Sequence, residues 1–504
     1  MSDEDLTDEE ILERERSESD HFGSIEVTTE ILDIPDNSRL PKGVNEWVTT
    51  MGQVSRYNEY PAILAYFCLL GQITKDNIVI PYGYTKEDTR FHVGWIQTAR
   101  SGKSVLNDFL TQISLKTFEY INAAMGRPEN DPYFTMFDVV DYTDAALIGS
   151  VKTVKNEHYG EEGHPTSDEK EVEKQVHGAL EGTGLALFDE FESSGIFKRS
   201  AHKENVVTYF QKFMNTLTTD GYLIKKKLAH GPELICNCQR SVWATTYVPE
   251  HLTEVIATKG VLQRMFLYVR EVPQHVLDDM RRELIRSLGT TKARMNPTNK
   301  FAKHMRELFL LTLERYNEVE GNKDQVVKFE EGVQDLLELE YTNMIRYLAK
   351  VPDEVRKVVS LFETNSLIYI AKLAVLCTIS ETPNRPENER WVVLPRNIRQ
   401  ASWIVRQGYK SLVDWMSESL KVRRTTLADQ SNIQDYIAAF NSMDKVEGFV
   451  NKALLRDYML NKYDIPQPKF YRTWPKIAHR FETKKIGKTV LIKLKEENED
   501  ESNL

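Results

Sequence analysis

Short apolar runs alternate with longer amphipathic stretches between residue 39 and about residue 275. Apolar runs bounded by glycine or polar residues predict buried strands at 91–96, 134–140, 184–188, 241–246 and 265–269. Apolar residues three and four positions apart predict helices, of which the longest runs from residue 103 to about residue 125. Strands that alternate with helices in this way indicate an α/β core over residues 39–275.

After residue 275 the apolar spacing is helical, at 301–318, 327–350, 355–362, 367–379 and 398–416. We therefore expect a helical lid over residues 276–424, followed by a polar linker. The module at 432–493 is predicted to contain three helices, at 433–443, 451–460 and 469–481, and then a hairpin around Gly487. That order of elements is typical of a winged-helix domain.

Two polar segments interrupt the predicted core. Residues 153–183 are polar and glycine-rich, and we expect an inserted surface loop with one charged helical patch at 167–175. Residues 220–231 have turn residues at both ends and three consecutive lysines, which predicts a β-hairpin.

Charge is distributed unevenly along the 504 residues, whose net charge is −11. Residues 1–36 contain 14 acidic side chains against two arginines, and residues 496–504 add five acidic side chains. We expect acidic disordered tails at 1–38 and 494–504. The remaining body contains 63 basic and 57 acidic side chains, so it is mildly basic and compatible with a polyanionic partner.

Cysteine content and hydropathy indicate the cellular compartment in which the protein is found. Four cysteines are too few for a disulfide framework and fit a reducing compartment. No apolar run approaches the roughly 18 residues that cross a membrane. We therefore expect an intracellular, cytoplasmic protein without a membrane partner.

The most informative stretch is 91–104, in which an apolar strand is followed by a polar loop and then by Gly102-Lys103-Ser104 at the start of a helix. Loop N–H groups and a helix N-terminus attract phosphate, which is the arrangement of a phosphate-binding loop (P-loop). Lys103 would reach the β- and γ-phosphates of ATP, and Ser104 would bind Mg²⁺. Gln97 stands where the usual pattern has its first glycine. The predicted nucleotide-binding residues are Thr98, Ala99, Arg100, Ser101, Gly102, Lys103, Ser104 and Val105.

A second motif follows 86 residues beyond Lys103, where the apolar strand at 184–188 ends in Asp189 and Glu190. This is the Walker B arrangement, in which Asp189 would hold Mg²⁺ and Glu190 would polarise the attacking water. The strand at 241–246 ends in Thr245 and Thr246. In a P-loop sheet that strand lies between the two motif strands, and either threonine could sense the γ-phosphate.

Two basic segments are candidates for DNA contact. The first is the hairpin with Lys225, Lys226 and Lys227, which could equally be a solvated strand edge. The second is the C-terminal module, where small winged helices also serve as protein-contact modules. Its candidate phosphate contacts are Lys469, Arg472, Lys476, Arg480 and Lys485.

The order of these motifs resembles that of minichromosome maintenance helicases and is similar to phage and plasmid primase-associated ATPases. The similarity lies in Phe188-Asp189-Glu190-Phe191, the lysine-rich hairpin, Ala244-Thr245-Thr246 and Gln263-Arg264-Met265-Phe266. The resemblance implies an AAA+ module that assembles into a ring, expected to be hexameric. It also implies that Arg264 acts as an arginine finger on the neighbouring subunit's nucleotide and that Lys225–Lys227 face the central channel. A sensor arginine in the lid is expected at Arg346, Arg356 or Arg396.

We therefore expect an ATP-dependent DNA helicase or translocase that acts in the replication of a virus or mobile element. Its partners would be single- and double-stranded DNA, further copies of the chain, and a primase or polymerase. Two alternatives stay open: an AAA+ initiator or loader that remodels DNA without processive unwinding, and a non-catalytic DNA-binding scaffold.

Overall fold

A computed structural model describes residues 40–495 apart from 56, 83–84, 139–142, 156–170, 192–203, 216–222, 228–232, 249–251, 253–259, 288–296, 444, 446–447, 464–469, 472–473, 475–476, 479–480 and 487–488. The expected acidic tails therefore lie outside the described residues, except for Leu494 and Lys495.

The helices, in chain order, are α1 (Lys42–Val54), α2 (Glu59–Thr74), α3 (Lys103–Ala124), α4 (Asp144–Leu147), α5 (Glu204–Phe213), α6 (Gln274–Ser287), α7 (Pro297–Glu318), α8 (Val333–Ala349), α9 (Asp353–Val359), α10 (Glu363–Glu381), α11 (Pro395–Asn441) and α12 (Lys452–Tyr463). The strands are β1 (Val79–Tyr82), β2 (Thr85–Asp88), β3 (Val93–Gln97), β4 (Phe134–Asp138), β5 (Gly149–Lys155), β6 (Glu171–His177), β7 (Gly182–Phe188), β8 (Leu223–Lys227), β9 (Glu233–Thr246), β10 (Phe266–Arg270), β11 (Lys328–Phe329), β12 (Val392–Val393), β13 (Val450–Asn451), β14 (Phe481–Ile486) and β15 (Thr489–Leu494).

A parallel sheet with the strand order β10-β3-β9-β7-β4 is the largest sheet among the described residues. The prediction of a mixed α/β core is therefore confirmed. The strand that ends in Thr245 and Thr246 lies between β3 and β7, as the sequence predicts. Because all five strands run in one direction, their carboxyl ends meet at one edge of the sheet.

Strand β9 is longer than its two apolar runs suggest. Its first residues pair antiparallel with β8, so the predicted hairpin is present, and its last residues join the central sheet. Two side chains of the first half, Cys236 and Cys238, are buried thiols.

The helical patch expected at 167–175 is wrong where the structure describes it, because Glu171–His177 form β6, which pairs antiparallel with β5. Strand β5 is rich in β-branched residues, and its backbone pairs with β6 over seven residues. Residues of this type favour a strand over the helix that local charge spacing suggests.

The largest hydrophobic core joins the sheet to helices from both sides of the predicted boundary at 275/276. It includes Trp47 of α1, Phe67 of α2, Trp95 of β3, Phe301 of α7 and Leu373 of α10. The first compact unit of the chain extends to Met416. The helices after residue 275 therefore share the core of the sheet, and no unit boundary coincides with the expected start of a lid.

Helix α10 belongs to the segment Asp353–Asn384, the one described helical segment that is long and apolar enough to cross a membrane. Length and composition alone do not distinguish such a segment from a core helix. Most side chains of α10 are buried within the first unit, from Tyr369 to Ser380.

The second compact unit begins at Ser417, inside α11. Helix α11 is continuous over 425–431, so the structure differs there from the expected linker. The core of this unit includes Phe440 of α11, Leu455 of α12, Phe481 of β14 and Ile492 of β15. Its strands form a small antiparallel sheet in the order β13-β15-β14, which contains the predicted hairpin.

Candidate functional site

The predicted phosphate-binding loop connects β3 to α3 at the carboxyl edge of the sheet. Arg100 and Gly102 have φ angles of 61° and 82°, and this left-handed conformation turns the chain into the helix. A Cβ atom at Gly102 would come within 3.0 Å of Asn58 Nδ2 and of Ser55 Oγ. Glycine is therefore required at this position both by the backbone and by the contact with the segment between α1 and α2.

Gln97, at the end of β3, helps to hold the loop through buried hydrogen bonds. Its side chain is buried, accepts a hydrogen bond from Trp95 Nε1 at 2.9 Å and donates one to Asn58 Oδ1 at 2.9 Å. Asn58 Nδ2 in turn donates to the carbonyl of Ser101 at 2.8 Å. The residue that stands in place of the usual glycine is thus part of a buried hydrogen-bond network that reaches the loop at Ser101.

The side chain of Lys103 folds back onto the start of the loop. Its Nζ donates to the carbonyl oxygens of Gln97 at 2.6 Å and Thr98 at 2.9 Å. Ser101 Oγ also donates to the carbonyl of Thr98, at 2.6 Å. Ser104 and Val105 are exposed in the first turn of α3, where the N–H groups of a helix have no intrahelical acceptor. The ammonium group and the helix N-terminus together attract an anion.

Asp189 and Glu190 follow β7 directly, at the same edge of the sheet. Both residues are exposed, and Glu190 has a φ angle of 53°, which is uncommon for a residue other than glycine. Thr245 is fully buried, and its Oγ1 donates to Asp189 Oδ1 at 2.8 Å. The structure therefore brings together the aspartate and the sensor threonine, as the strand order predicts.

Asn107 is the residue of this site that the sequence prediction missed. Its Nδ2 donates to Thr245 Oγ1 at 2.9 Å and lies 3.4 Å from Asp189 Oδ1, and its Oδ1 accepts from Trp243 Nε1 at 2.8 Å. It is nearly fully buried one turn after Ser104, and residues three apart share a helix face. The signal in the sequence that could have identified Asn107 is its place as a polar residue among the apolar positions of α3.

The donor set fits a nucleotide with Mg²⁺. Ser104 offers an exposed hydroxyl, and Asp189 offers a carboxylate that Asn107 holds against the same helix. Within the ranges that the structure describes, no group of three or more His, Cys, Asp or Glu side chains could hold a metal. Hydroxyl and carboxylate coordination completed by phosphate and water does not need such a group.

Thr246 and Arg264 occupy different edges of the sheet. Thr246 is buried opposite Ile96, next to the loop. Arg264 is exposed in a short turn before β10, and its Nη1 donates to the carbonyl of Gly260 at 2.8 Å. Phe266 pairs with Val93, so Arg264 is level with residue 91. It therefore lies about six residues along the strand direction, or roughly 20 Å, from Gln97 at the carboxyl end of β3. It is too far away to reach its own loop.

The predicted DNA-contact residues are only partly described. Lys225 is exposed on β8 beside the buried Ile224, and Lys226 and Lys227 continue the same strand. Lys485 is exposed on β14. The remaining candidates, Lys469, Arg472, Lys476 and Arg480, lie outside the described residues.

The three candidate sensor arginines lie in the helical region. Arg356 pairs with Asp353 at 2.6 Å, and Arg396 pairs with Glu389 at 3.1 Å. Arg346 is exposed on α8.

No model of a protein family matches this chain, and no curated protein matches it in sequence.

We predict that Asn107→Ala lowers the free energy of unfolding by about 1–3 kcal/mol, because Trp243 Nε1 loses its buried acceptor. Urea unfolding followed by tryptophan fluorescence measures this loss. The control is Asp108→Ala at the next, exposed position of α3, where we expect a change within about 0.5 kcal/mol. Equal losses in the two variants would mean that the Asn107 network does not stabilise this edge.

Proposed function

We propose that the chain is an ATP-dependent, ring-forming DNA helicase or translocase with an AAA+ core. The observation that supports this best is the hydrogen bond between Thr245 and Asp189 beside the helix that begins at Lys103. The loop, the acidic strand end and the inserted polar strand end thus meet at one edge of a parallel sheet. This is the geometry that ATP hydrolysis by such a core requires.

In this proposal the chain binds the phosphates of ATP with the N–H groups of the loop and with Lys103. Bound Mg²⁺ would neutralise phosphate charge, with Ser104 and Asp189 as its protein contacts. Glu190, exposed next to Asp189, orients the attacking water and takes up its proton. Thr245 holds Asp189 in place, and Thr246 is the second candidate for the sensor of the γ-phosphate.

Ring assembly explains the place of Arg264. A guanidinium at the opposite edge of the sheet contributes nothing to its own subunit's nucleotide. On a neighbouring subunit it could stabilise the transition-state charge, an effect worth about 10³–10⁵ in rate. We propose a ring, expected to be a hexamer, in which each ATP site is completed by Arg264 of the next copy.

DNA contact is assigned to two surfaces. Lys225–Lys227 lie on the β8–β9 hairpin, where exposed Lys225 supports a role in phosphate contact along one DNA strand. The C-terminal unit, with its helices and its β14–β15 hairpin, is compatible with a winged helix. Lys485, together with Lys469, Arg472, Lys476 and Arg480, would contact duplex phosphates there.

An AAA+ initiator or loader is the second candidate, because the same ATP site would serve protein–DNA remodelling without unwinding. A non-catalytic scaffold is the third. A strand-displacement assay on a forked duplex distinguishes the helicase from the initiator or loader. Measurable ATP hydrolysis excludes the non-catalytic scaffold. The proposed setting is the replication of a virus or mobile element inside a cell, with a primase or polymerase as a further partner.

We predict that Lys103→Ala abolishes nucleotide binding, whereas Glu190→Gln retains binding and slows hydrolysis by about 10²–10⁴, the usual worth of a general base. Nucleotide titration and phosphate release measure the two effects. Lys116→Ala and Glu129→Gln, at surface positions of α3 and of the turn after it, are the controls and should match the unchanged protein. Full hydrolysis by Glu190→Gln would remove Glu190 from the mechanism.

A second prediction concerns the hairpin. Replacing Lys225, Lys226 and Lys227 together by Ala should flatten the log–log salt dependence of single-strand binding by about 2, at roughly 0.7 for each phosphate contact. Fluorescence anisotropy of a labelled oligonucleotide at several salt concentrations measures the slope. The control replaces Lys303, Lys328 and Lys350, which are exposed elsewhere on the first unit. The same slope in both triple variants would make β8 an ordinary strand edge.

A further inference from the structure

The small antiparallel sheet of the C-terminal unit has one face in the core of that unit and one face outside it. Ile492 of β15 belongs to the core, and Val490 and Leu494 pack against it. Successive side chains of a strand point to opposite faces of the sheet. Leu491 and Lys493 therefore belong to the outer face.

The outer face continues onto the two neighbouring strands. On β14, Lys484 pairs with Leu491, and Ile486 lies two residues further along the same face and is 55% exposed. On the other side of β15, Phe449 directly precedes β13 and is level with Lys493. The apolar side chains of this face are not part of the described core of the unit.

Phe449 is a partly exposed aromatic ring with two cations beside it. The Nζ atoms of Lys484 and Lys493 lie 5.9 Å and 6.0 Å from the centre of the ring. These distances are at the outer limit of a cation–π interaction, so the ring holds the ammonium groups only weakly. Gly448 has a φ angle of 82°, and a Cβ atom there would lie 3.3 Å from Lys493 Cε. Glycine therefore allows the turn before Phe449 to pass close to the Lys493 side chain.

The charge around this ring favours an anionic partner. Residues 481–494 contain four lysines and one acidic side chain, Glu482, which pairs with Lys493 in the strand register. A carboxylate-rich protein segment would match the lysines alone. A nucleotide strand would match the lysines with its phosphates and the ring with a base, since aromatic side chains stack on the faces of bases. In a duplex those faces are covered by the neighbouring base pairs, so the partner that fits both features is a single strand.

We propose that the outer face of this sheet binds single-stranded nucleic acid, with one base stacked on Phe449 and with Lys484 and Lys493 on the flanking phosphates. The site rests on the proposed function, and it adds a single-strand contact to the unit for which duplex contacts are proposed. Lys485 follows Lys484 on β14, and adjacent residues of a strand point to opposite faces. The two lysines therefore serve different contacts.

Fluorescence anisotropy of a labelled oligothymidylate with the full-length protein tests the site. The parent is the variant with Lys225, Lys226 and Lys227 replaced by Ala, which removes the β8–β9 hairpin as a competing single-strand contact. Adding Phe449→Leu keeps the apolar bulk and removes the aromatic face, so single-strand binding should weaken about fivefold or more, the effect of losing one stacked base. Adding Phe449→Trp should retain the binding. Both variants should bind a duplex as tightly as the parent, and thermal unfolding checks that they are folded.

The two lysines provide a second test of the same face. Lys484→Ala and Lys493→Ala should each flatten the log–log salt dependence of oligothymidylate binding by about 0.7, the effect of one lost phosphate contact on a single strand. Lys462→Ala, at an exposed position near the end of α12, is the control and should leave the slope unchanged.

The stacking site is overturned if Phe449→Leu binds the oligothymidylate as tightly as the parent, a result that would favour an acidic protein segment at this face. It is also overturned if the parent binds no single strand while the unchanged protein does, because all single-strand binding would then belong to the β8–β9 hairpin. An unchanged protein that binds neither single strands nor duplex would contradict the proposed function as well. The two failures are therefore distinguishable.

Discussion

The insertion of β9 between β3 and β7 is the constraint on which the rest of the site depends. Parallel strands place their carboxyl ends at one edge, so the loop after β3 and the acids after β7 are separated by one strand only. The polar end of β9 fills that interval, with Thr245 bonded to Asp189. A strand order that placed β9 elsewhere would leave Asp189 without this partner and would bring no polar group between the two motifs.

The same edge is held in place by residues far away in the sequence. Asn58, before α2, bonds to Gln97 and to the loop carbonyl of Ser101, and Ser55 Oγ donates to the carbonyl of Gly102 at 3.1 Å. The loop therefore does not depend on Gly102, its one glycine, alone. In the proposed function this support matters because a phosphate-binding loop acts through the directions of its N–H groups, which must be set before the nucleotide binds.

Candidate functional residues lie at both ends of the central sheet. The carboxyl edge has the loop, Asp189 and Thr245, and the amino edge has Arg264. In the proposed ring, one subunit would present its carboxyl edge to the amino edge of the next. In that proposal Arg264 would link the amino edge of one copy to the nucleotide of another.

Much of this arrangement could be predicted from the sequence, because strand patterns and motif residues are local. The apolar run before Asp189 and the Gly-Lys-Ser triplet indicate both the strands and the edge at which their chemistry lies. Asn107 could not be assigned a partner, since its contacts with Trp243 and Asp189 are more than 80 residues away in the sequence. The support from Asn58, which lies 39 residues before Gln97, and the pairing of β5 with β6 were missed because contacts between separate elements leave no local pattern in the sequence. Helical periodicity after residue 275 predicts helices but does not reveal that Leu373 packs into the core of the sheet.

The central claim is that each ATP site is shared between two copies of the chain. Mixing two inactive proteins, Lys103→Ala and Arg264→Ala, and measuring ATPase activity with DNA present tests it most directly. In a mixed ring some interfaces combine an intact loop with an intact Arg264, so we expect part of the activity to return as the mixing ratio approaches one to one. Crosslinking confirms that the two proteins assemble together. A mixture that co-assembles and stays inactive at every ratio would contradict the shared site.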